Sequence, residues 1–540
     1  MGRKKDGKPP IRAADLPSSQ ESSVSIRLLA FVAVAAGLVY LPSLWGDFVY
    51  DDIGQIVVDD YLHQPAHFVD VLTFRVMAED VLDFNRPVML LSLMIDSSLW
   101  GHQPFGYHLT NVLLHVGCSL LVLLVLHDVL RRTAQFDKRP FWPAWGAAAG
   151  ALLFAVHPIN SEAVCPVTFR EDLLAAGATF FALWLAGRLS AAKRPAVNLA
   201  LGVGCLAATL LAVGAKESGA MVPLMLLAYW WTVRRDEPRG RWIALVAATA
   251  VVVACFMAAR FALETPHSKI FTVKPGYLGG SLWTAIQIQP RLWTFQLAEL
   301  VWPGLLCADQ TGYAVQTIDL PLALLCLTFL AVVVVVAARK YRTIGLGAAW
   351  YAIGLLPVAN LMPIYHPLAD RYLYLPMLGV SLIVGTLVAR LCAAISPRAR
   401  KLFAVGGLCA LGLLAAVSVQ RALVWRHDLS LWQDTVARNP RSFNGQANLA
   451  CTYYHEKDFA RAVDTYQKAC RLSPEAAECW GGLAISFDAL GQSDEAVQAI
   501  REAIARDPRY AHPQELVKAL VWEPADAEKL QQVVNRAHRK

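Results

Sequence analysis

The chain has 540 residues, 56% of them hydrophobic and 17% charged, with a mean hydropathy of +0.41. That balance excludes an ordinary soluble globule and fits a polytopic membrane protein with a smaller polar part. The net charge of +7 points to no nucleic-acid partner, because Lys and Arg gather at the ends of apolar runs and form no basic face interleaved with aromatics. Eleven cysteines, among them Cys205, Cys255 and Cys326, lie mostly inside apolar runs without CxxC spacing or His partners. They read as buried reduced thiols, implying neither a zinc site nor a disulfide framework.

Residues 1–25 are polar and carry Arg3, Lys4, Lys5 and Lys8, as expected of a disordered cytoplasmic tail. Residues 26–44 then form an apolar run too long for a signal-peptide core, read as the first spanning helix. Its far end delivers Gly46-Asp47-Phe48-Val49-Tyr50-Asp51-Asp52 to the opposite face. Carboxylates at the mouth of a bundle can take a proton from a hydroxyl or hold a divalent cation. A solvated turn or helix cap is the competing reading.

Later apolar runs centre on residues 109–130, 142–156, 173–189, 197–213, 218–233, 243–263, 320–338, 344–361, 372–391 and 402–419, which makes about eleven spans. The basic clusters Arg131, Arg132, Lys138 and Arg139; Arg188, Lys193 and Arg194; Arg234, Arg235, Arg239 and Arg241; Arg339, Lys340 and Arg342; and Arg390, Arg398, Arg400 and Lys401 then all fall on the starting side. An odd number of spans puts the C-terminus with the acidic loop. The long outer loops, 59–100 and 264–313, contain amphipathic pieces at 87–100 and 289–305. These read as interface helices walling a lipid-accessible groove, with Trp100, Trp293 and Trp302 at headgroup level.

After Arg421 the composition changes. Asn439-Pro440, Ser473-Pro474 and Asp507-Pro508 recur at the 34-residue tetratricopeptide period. Leu449, Ala450, Tyr453, Ala462, Tyr466 and Ala469 are matched by Leu483, Ala484, Phe487, Ala496, Ile500 and Ala503, the large and small residues that let helix pairs stack. The expected organisation is a tail, 1–25, a membrane domain, 26–421, and a repeat domain, 422–540, with full repeats at about 441–474 and 475–508. Residues 425–438 read as a leading half-repeat and 509–540 as a cap. The fold class expected is all-α: a membrane helix bundle followed by an α-solenoid.

Ionisable residues recur at the outer ends of other spans: His157 with Glu162, Arg170-Glu171-Asp172, Lys216-Glu217, Asp309, and His366 with Asp370 and Arg371. Such groups near a bilayer mark either a substrate site or a structural ion-pair network. His157 alone reads as a packing or capping group.

GDFVYDD after the first span, RPVMLLSLMID, PFGYHLTNVLLH, LLFAVHPINSEAV, REDLLA, AKESG and DRYLYLP, in that order and followed by tetratricopeptide repeats, resemble the TMTC-type membrane O-mannosyltransferases of the GT-C glycosyltransferase superfamily. The resemblance runs from about residue 41 to 508, and the segment 259–313, with LVWPGLLCADQ, resembles the family's outer loop. It implies a polyprenyl-phosphate-sugar donor, mannose being the sugar expected, a protein Ser/Thr hydroxyl as acceptor, and inversion at the sugar carbon. It places the catalytic acidic pair on Asp51 and Asp52, and substrate-binding positions on Glu162, Arg170, Asp172, Lys216, Glu217 and Arg371; His366, at the end of the same outer segment, is added as a substrate-binding candidate from its position alone. Mn²⁺ or Mg²⁺ held by Asp51 and Asp52 is left open. Phe169-Arg170-Glu171-Asp172 departs from the small residues usual around that arginine, and the repeat array is shorter than in animal members.

The mechanism implied has Asp51 or Asp52 deprotonating the acceptor, with Arg371, Arg170 and Lys216 stabilising the departing phosphate. The acceptor is expected to dock on the concave face of the repeats. The chain has no Asn-x-Ser/Thr sequon and is rich in Ala, Leu and Val, pointing to a bacterial inner membrane with periplasmic repeats; in a eukaryote the equivalent is the endoplasmic reticulum with lumenal repeats. Two other classes stay open: a lipid or polysaccharide-precursor transporter, and a non-catalytic scaffold that binds partners through the repeats.

Overall fold

The computed structural model describes residues 24–58, 60–78, 81–133, 142–190, 194–263, 276–519 and 524–539. The tail up to residue 23, the basic residues Lys138, Arg139 and Lys193, and the first part of the 264–313 loop lie outside them. Every regular element among the described residues is helical.

Among the described residues, seven helices are long and apolar enough to cross a membrane: Ile26–Trp45, Pro104–Thr133, Pro195–Ala215, Arg239–Leu263, Leu320–Lys340, Met377–Ala394 and Pro397–Val424. The chain is therefore a multi-pass membrane protein. Leu320–Lys340 displays Leu325, Phe329 and Val336 outward, which suits contact with lipid and would be unfavourable in water.

The other four apolar runs are helical but differ from simple spans. Trp142–Val156 has 15 residues and Arg342–Leu355 has 14, while Arg170–Arg188 opens on three charged residues. The run after Lys216 is broken into Glu217–Met221, Val222–Tyr229 and Trp230–Arg234, with Pro223 in the first turn of the middle piece. Neighbouring helices cover one side of them, while Trp145, Phe181, Leu224, Leu227 and Trp231 face outward. A Cβ on Gly146 would lie 2.4 Å from the Gly385 carbonyl oxygen, and one on Gly347 would lie 2.6 Å from that of Gly379. Helices Trp142–Val156 and Arg342–Leu355 can thus approach Met377–Ala394 to backbone contact, as small residues permit in membrane bundles. That clamped helix follows directly on the turn Asp370–Leu373, which carries Arg371.

Of the two amphipathic pieces, Pro87–Trp100 buries Met89, Leu90, Leu93 and Asp96 inside the protein. Leu282–Val301 begins in a Ser281/Thr284 capping box and buries Gln289, Phe295 and Glu299. Trp302 is largely exposed, whereas Trp293 is half-buried.

Beyond the last membrane helix, Asp428–Arg438 leads into the pairs Phe443–His455 with Phe459–Leu472, and Ala477–Ala489 with Ser493–Arg506. Leu449, Ala450, Tyr466, Ala469, Leu483, Ala484, Ile500 and Ala503 form their shared core, as the 34-residue pattern requires. Gly482 is needed there, because a Cβ would overlap the Tyr466 ring. The final helix, Pro524–Arg539, buries Ala527, Leu530, Val533 and Val534. Its Lys529 Nζ donates to Tyr454 Oη at 3.1 Å, Asp526 lies 3.6 Å from His455, and Arg536 pairs with Asp488. It therefore reaches back across the first helices of both repeats, part of the surface that the sequence reading left open to an acceptor.

Candidate functional site

The loop after the first membrane helix is shaped by two features. Gly46 packs where a Cβ would meet the Ser43 carbonyl at 3.1 Å and the Arg426 backbone at 3.4 Å. Tyr50 is held at φ +57°, a left-handed conformation unfavourable for an aromatic residue. The turn sends Asp51 and Asp52 in opposite directions.

Asp52 is fully buried. Its Oδ2 accepts from the amides of Val167 (3.0 Å) and Val49 (3.3 Å), and its Oδ1 from the Thr168 amide (2.7 Å) and hydroxyl (2.8 Å). Four donors occupy its lone pairs, so it ties the 49–52 turn to the 164–169 segment. This differs from the sequence reading, in which either acid could serve as base: adjacency in sequence says nothing of which carboxylate the fold consumes.

Asp51 is open to solvent and makes no hydrogen bond or ion pair with a described residue. Arg371, Asp83, Asp52 and Glu171 are the charged groups that act on it. Partial loss of water raises its pKa to about 7; Arg371 opposes that rise, and the like charges of Asp83, Asp52 and Glu171 add to it.

Arg371 lies opposite. Its Nη1 pairs with Glu162 Oε1, its amide donates to Glu162 Oε2 at 3.0 Å, and its guanidinium is 4.0 Å from the Phe169 ring centroid. Its Nε is buried without a partner. Lys216 Nζ binds Asp172 at 2.6 Å and Glu171 at 2.9 Å. Arg371 and Lys216 flank one ring, that of Tyr372, at 5.3 and 5.5 Å. His366 Nε2 meets Tyr50 Oη at 3.2 Å, and its pKa is lowered to about 4 by burial and by Arg371, so the imidazole is neutral at physiological pH.

The structure thus gathers Asp51, Asp52, Glu162, Asp172, Lys216, His366 and Arg371. Glu217 stands at the margin, bound to Arg260 at 2.8 Å and to Arg86 at 3.6 Å. Arg170 is apart from the cavity. It is fully buried, paired with Asp96 at 2.6 Å, and donates to Asn111 Oδ1, Ser92 O and Tyr107 O. All three of its nitrogens are used, which departs from the substrate-binding position expected. His157 does act as a cap, accepting from the Ile159 amide at 3.2 Å.

Sequence reasoning gave no role to Arg86, Asp83 or Tyr372. Arg86 joins Asp83 and Glu171 and so continues the ion-pair chain from Lys216. Arg86 and Asp96 both lie in the RPVMLLSLMID stretch, so the motif carried the signal; the partners, distant in sequence, did not.

As for metals, the carboxylate oxygens of Asp52 are taken up in accepting from N–H and O–H groups. Among the described residues no three His, Cys, Asp or Glu side chains are grouped to hold an ion. The adjacent acidic pair does not fit a two-carboxylate metal site.

Fold and site describe an all-α, multi-pass membrane protein with a cluster of ionisable residues whose loop touches the helix leading into helical repeats. A tetratricopeptide-repeat family model matches residues 453–520. A Caenorhabditis elegans protein O-mannosyl-transferase is 25% identical over 475 residues, 85% of this chain and 64% of that protein. Drosophila melanogaster protein O-mannosyl-transferase Tmtc3 is 26% identical over 557 residues, 88% of this chain and 58% of that one. The chain is a relative of the TMTC-type protein O-mannosyltransferases and spans somewhat over half the length of these curated members. Among solved structures, ArnT from Cupriavidus metallidurans bound to undecaprenyl phosphate is 16% identical with a TM-score of 0.41, covering 90% of this chain and 80% of that one.

Proposed function

We propose that the protein is an inverting membrane glycosyltransferase that moves a sugar, mannose, from a polyprenyl-phosphate donor to Ser or Thr hydroxyls of a protein. The observation that carries this reading is Asp51, an accessible, unpaired carboxylate with a pKa near 7, beside a cation whose Nε has no partner. A base with that pKa is half-ionised at neutral pH and strong enough to take a proton from a hydroxyl as its oxygen bonds to the anomeric carbon. The bond from that carbon to the phosphate oxygen breaks, the proton stays on Asp51, and the electron pair leaves with the lipid phosphate. Arg371 and Lys216, preorganised around Tyr372 by Glu162, Asp172 and Glu171, face the charge that grows there.

Asp52 and Arg170 are positioning groups in this scheme. The first fixes the turn that aims Asp51, and the second locks Arg170–Arg188 to Pro87–Trp100 and Pro104–Thr133. Glu217 steadies Arg86 and Arg260, and His366 braces Tyr50. Residues 26–421 would hold the reaction and 422–540 the acceptor-docking repeats, both facing the non-cytoplasmic side of a bacterial inner membrane. Because Pro524–Arg539 crosses the first helices of both repeats, an acceptor would dock on the surface that this helix leaves free.

The test is transfer of label from radiolabelled polyprenyl-phosphate-mannose to protein in host membrane extract, with purified wild type and Asp51→Asn. Label in wild type, lost in Asp51→Asn and insensitive to EDTA, supports the reading. Transfer undiminished in Asp51→Asn refutes it.

A further inference from the structure

The helix Asp428–Arg438 has the sequence of a leading half-repeat, yet its two ends grip different parts of the cavity wall. At its start, Arg426 O accepts from the Asp47 amide at 2.9 Å and Arg426 Nη2 donates to Trp45 O at 3.0 Å. His427 Nδ1 meets Asp47 Oδ2 at 2.6 Å, and Asp428 Oδ1 accepts from the Tyr50 amide at 3.0 Å. The Trp432 ring stands edge-on to Tyr50, 5.1 Å between centroids. These contacts hold the loop around Tyr50, whose positive φ directly precedes the exposed Asp51.

At its end, Arg438 Nη1 donates to Gly304 O and Asn439 Nδ2 donates to Asp309 O at 3.0 Å. Asp309 Oδ2 accepts from Ser442 Oγ at 2.6 Å and Asn444 Nδ2 at 3.3 Å. Next in the chain, Gln310 donates to Asp370 Oδ1 at 3.1 Å, and Asp370 immediately precedes Arg371. Eleven helical residues, about 16 Å long at 1.5 Å per residue, therefore connect the loop carrying Asp51 with the turn carrying Arg371.

We infer that Asp428–Arg438 is a positioning strut for the transfer reaction, setting the separation of Asp51 from Arg371, so that the repeats are mechanically coupled to the chemistry. A covalent linker to a docking module would need none of these contacts. They fall on the reaction loop and the outer loop, beyond the membrane helix that the strut continues. A partner that tilts the repeats would then change turnover. This rests on the transferase reading, and the two can fail separately.

The test combines kinetics with amide hydrogen exchange on full-length protein in detergent. Asp428→Ala should speed exchange at the Tyr50 and Asp47 amides at least tenfold and lower kcat at least tenfold, with donor KM changed less than twofold. Asp428→Asn, which can still accept from the Tyr50 amide, should restore most of both. Asp309→Ala, at the other end, should lower kcat in the same pattern, while Lys529→Ala, which touches only the repeats, should not. Unchanged exchange at Tyr50 and Asp47 in Asp428→Ala overturns the strut, whatever the protein catalyses. So does wild-type kcat in both Asp428→Ala and Asp309→Ala when Asp51→Asn is inactive. If Asp428→Ala does not yield monodisperse protein, Trp432→Leu and Asp309→Ala carry the same two readouts.

Discussion

Replacing Asp52 by asparagine keeps the shape of a fully buried side chain and changes its hydrogen-bonding sense. The carboxylate receives three backbone amides and one hydroxyl. With the new NH₂ towards Val49 and Val167, two amides lose their acceptor; turned towards Thr168, it orphans one, because the hydroxyl can rotate. Each orphaned buried N–H costs about 1–3 kcal/mol, so Asp52→Asn should lose about 1–6 kcal/mol, and Asp52→Ala, which strands all four donors, should lose more. Asp51→Asn removes no hydrogen bond and should leave stability unchanged. Thermal melting of detergent-purified protein by fluorescence size exclusion, beside transfer assays below each melting point, separates the two acids. Asp52→Asn should melt earlier and retain part of its turnover, and Asp51→Asn should melt as wild type and be inactive. An Asp52→Asn protein with wild-type melting and no activity would refute the division of labour and make Asp52 a reacting group.

The remaining predictions concern pH, burial and packing. Transfer by wild type should fall about tenfold per pH unit below a midpoint near 7, and Asp83→Asn should move that midpoint to lower pH, because removing a like charge favours the Asp51 carboxylate; pH–rate profiles check both. Arg170→Met leaves Asp96 buried and unpaired, and should destabilise by about 3–5 kcal/mol, read as loss of monodisperse protein with no change in donor KM of the folded fraction. Gly385→Val places bulk against the Gly146 carbonyl, 2.6 Å from the new Cβ, and should cost about 1–3 kcal/mol in thermal melting while lowering kcat through the Asp370–Leu373 turn.

Which parts were legible in the sequence follows from where the information resides. The repeats could be read because one 34-residue period writes the packing of every helix pair, down to the recurrence of Ala450 as Ala484 and of Ala469 as Ala503. The seven long apolar helices were equally plain. The runs 142–156 and 344–361 read as membrane spans, whereas the structure makes them short helices; their close approach to Met377–Ala394 depends on Gly146 and Gly347 meeting Gly385 and Gly379, contacts between distant segments. The site residues were placed as a group because the motif order places them. Their division into accessible Asp51, saturated Asp52 and enclosed Arg170 depended on the φ of Tyr50, the donors of Thr168 and the charge of Asp96, none of which spacing encodes. Asp428 could have been suspected only from its position at the first turn of the repeats, which a helix cap explains as well.

The charge balance of the cavity gives a last consequence. Asp51, Asp83, Glu162, Glu171, Asp172 and Glu217 outnumber Arg86, Lys216, Arg260 and Arg371 before any donor enters. A lipid phosphate resting on Arg371 and Lys216 adds negative charge close to Asp51 and disfavours its carboxylate, so the pKa of Asp51 should be higher in the donor complex than in the free enzyme. The acid limb of kcat, which reports the complex, should then have its midpoint at higher pH than that of kcat/KM, which reports the free protein. The same coupling favours reaction: as the phosphate gains charge on departing, a proton reaching Asp51 becomes more strongly held, so the two charge movements assist each other. Each unit of separation between the limbs corresponds to about 1.4 kcal/mol of that coupling. Coincident midpoints for kcat and kcat/KM would mean that the donor phosphate binds far from Asp51, and would remove Arg371 and Lys216 from its recognition.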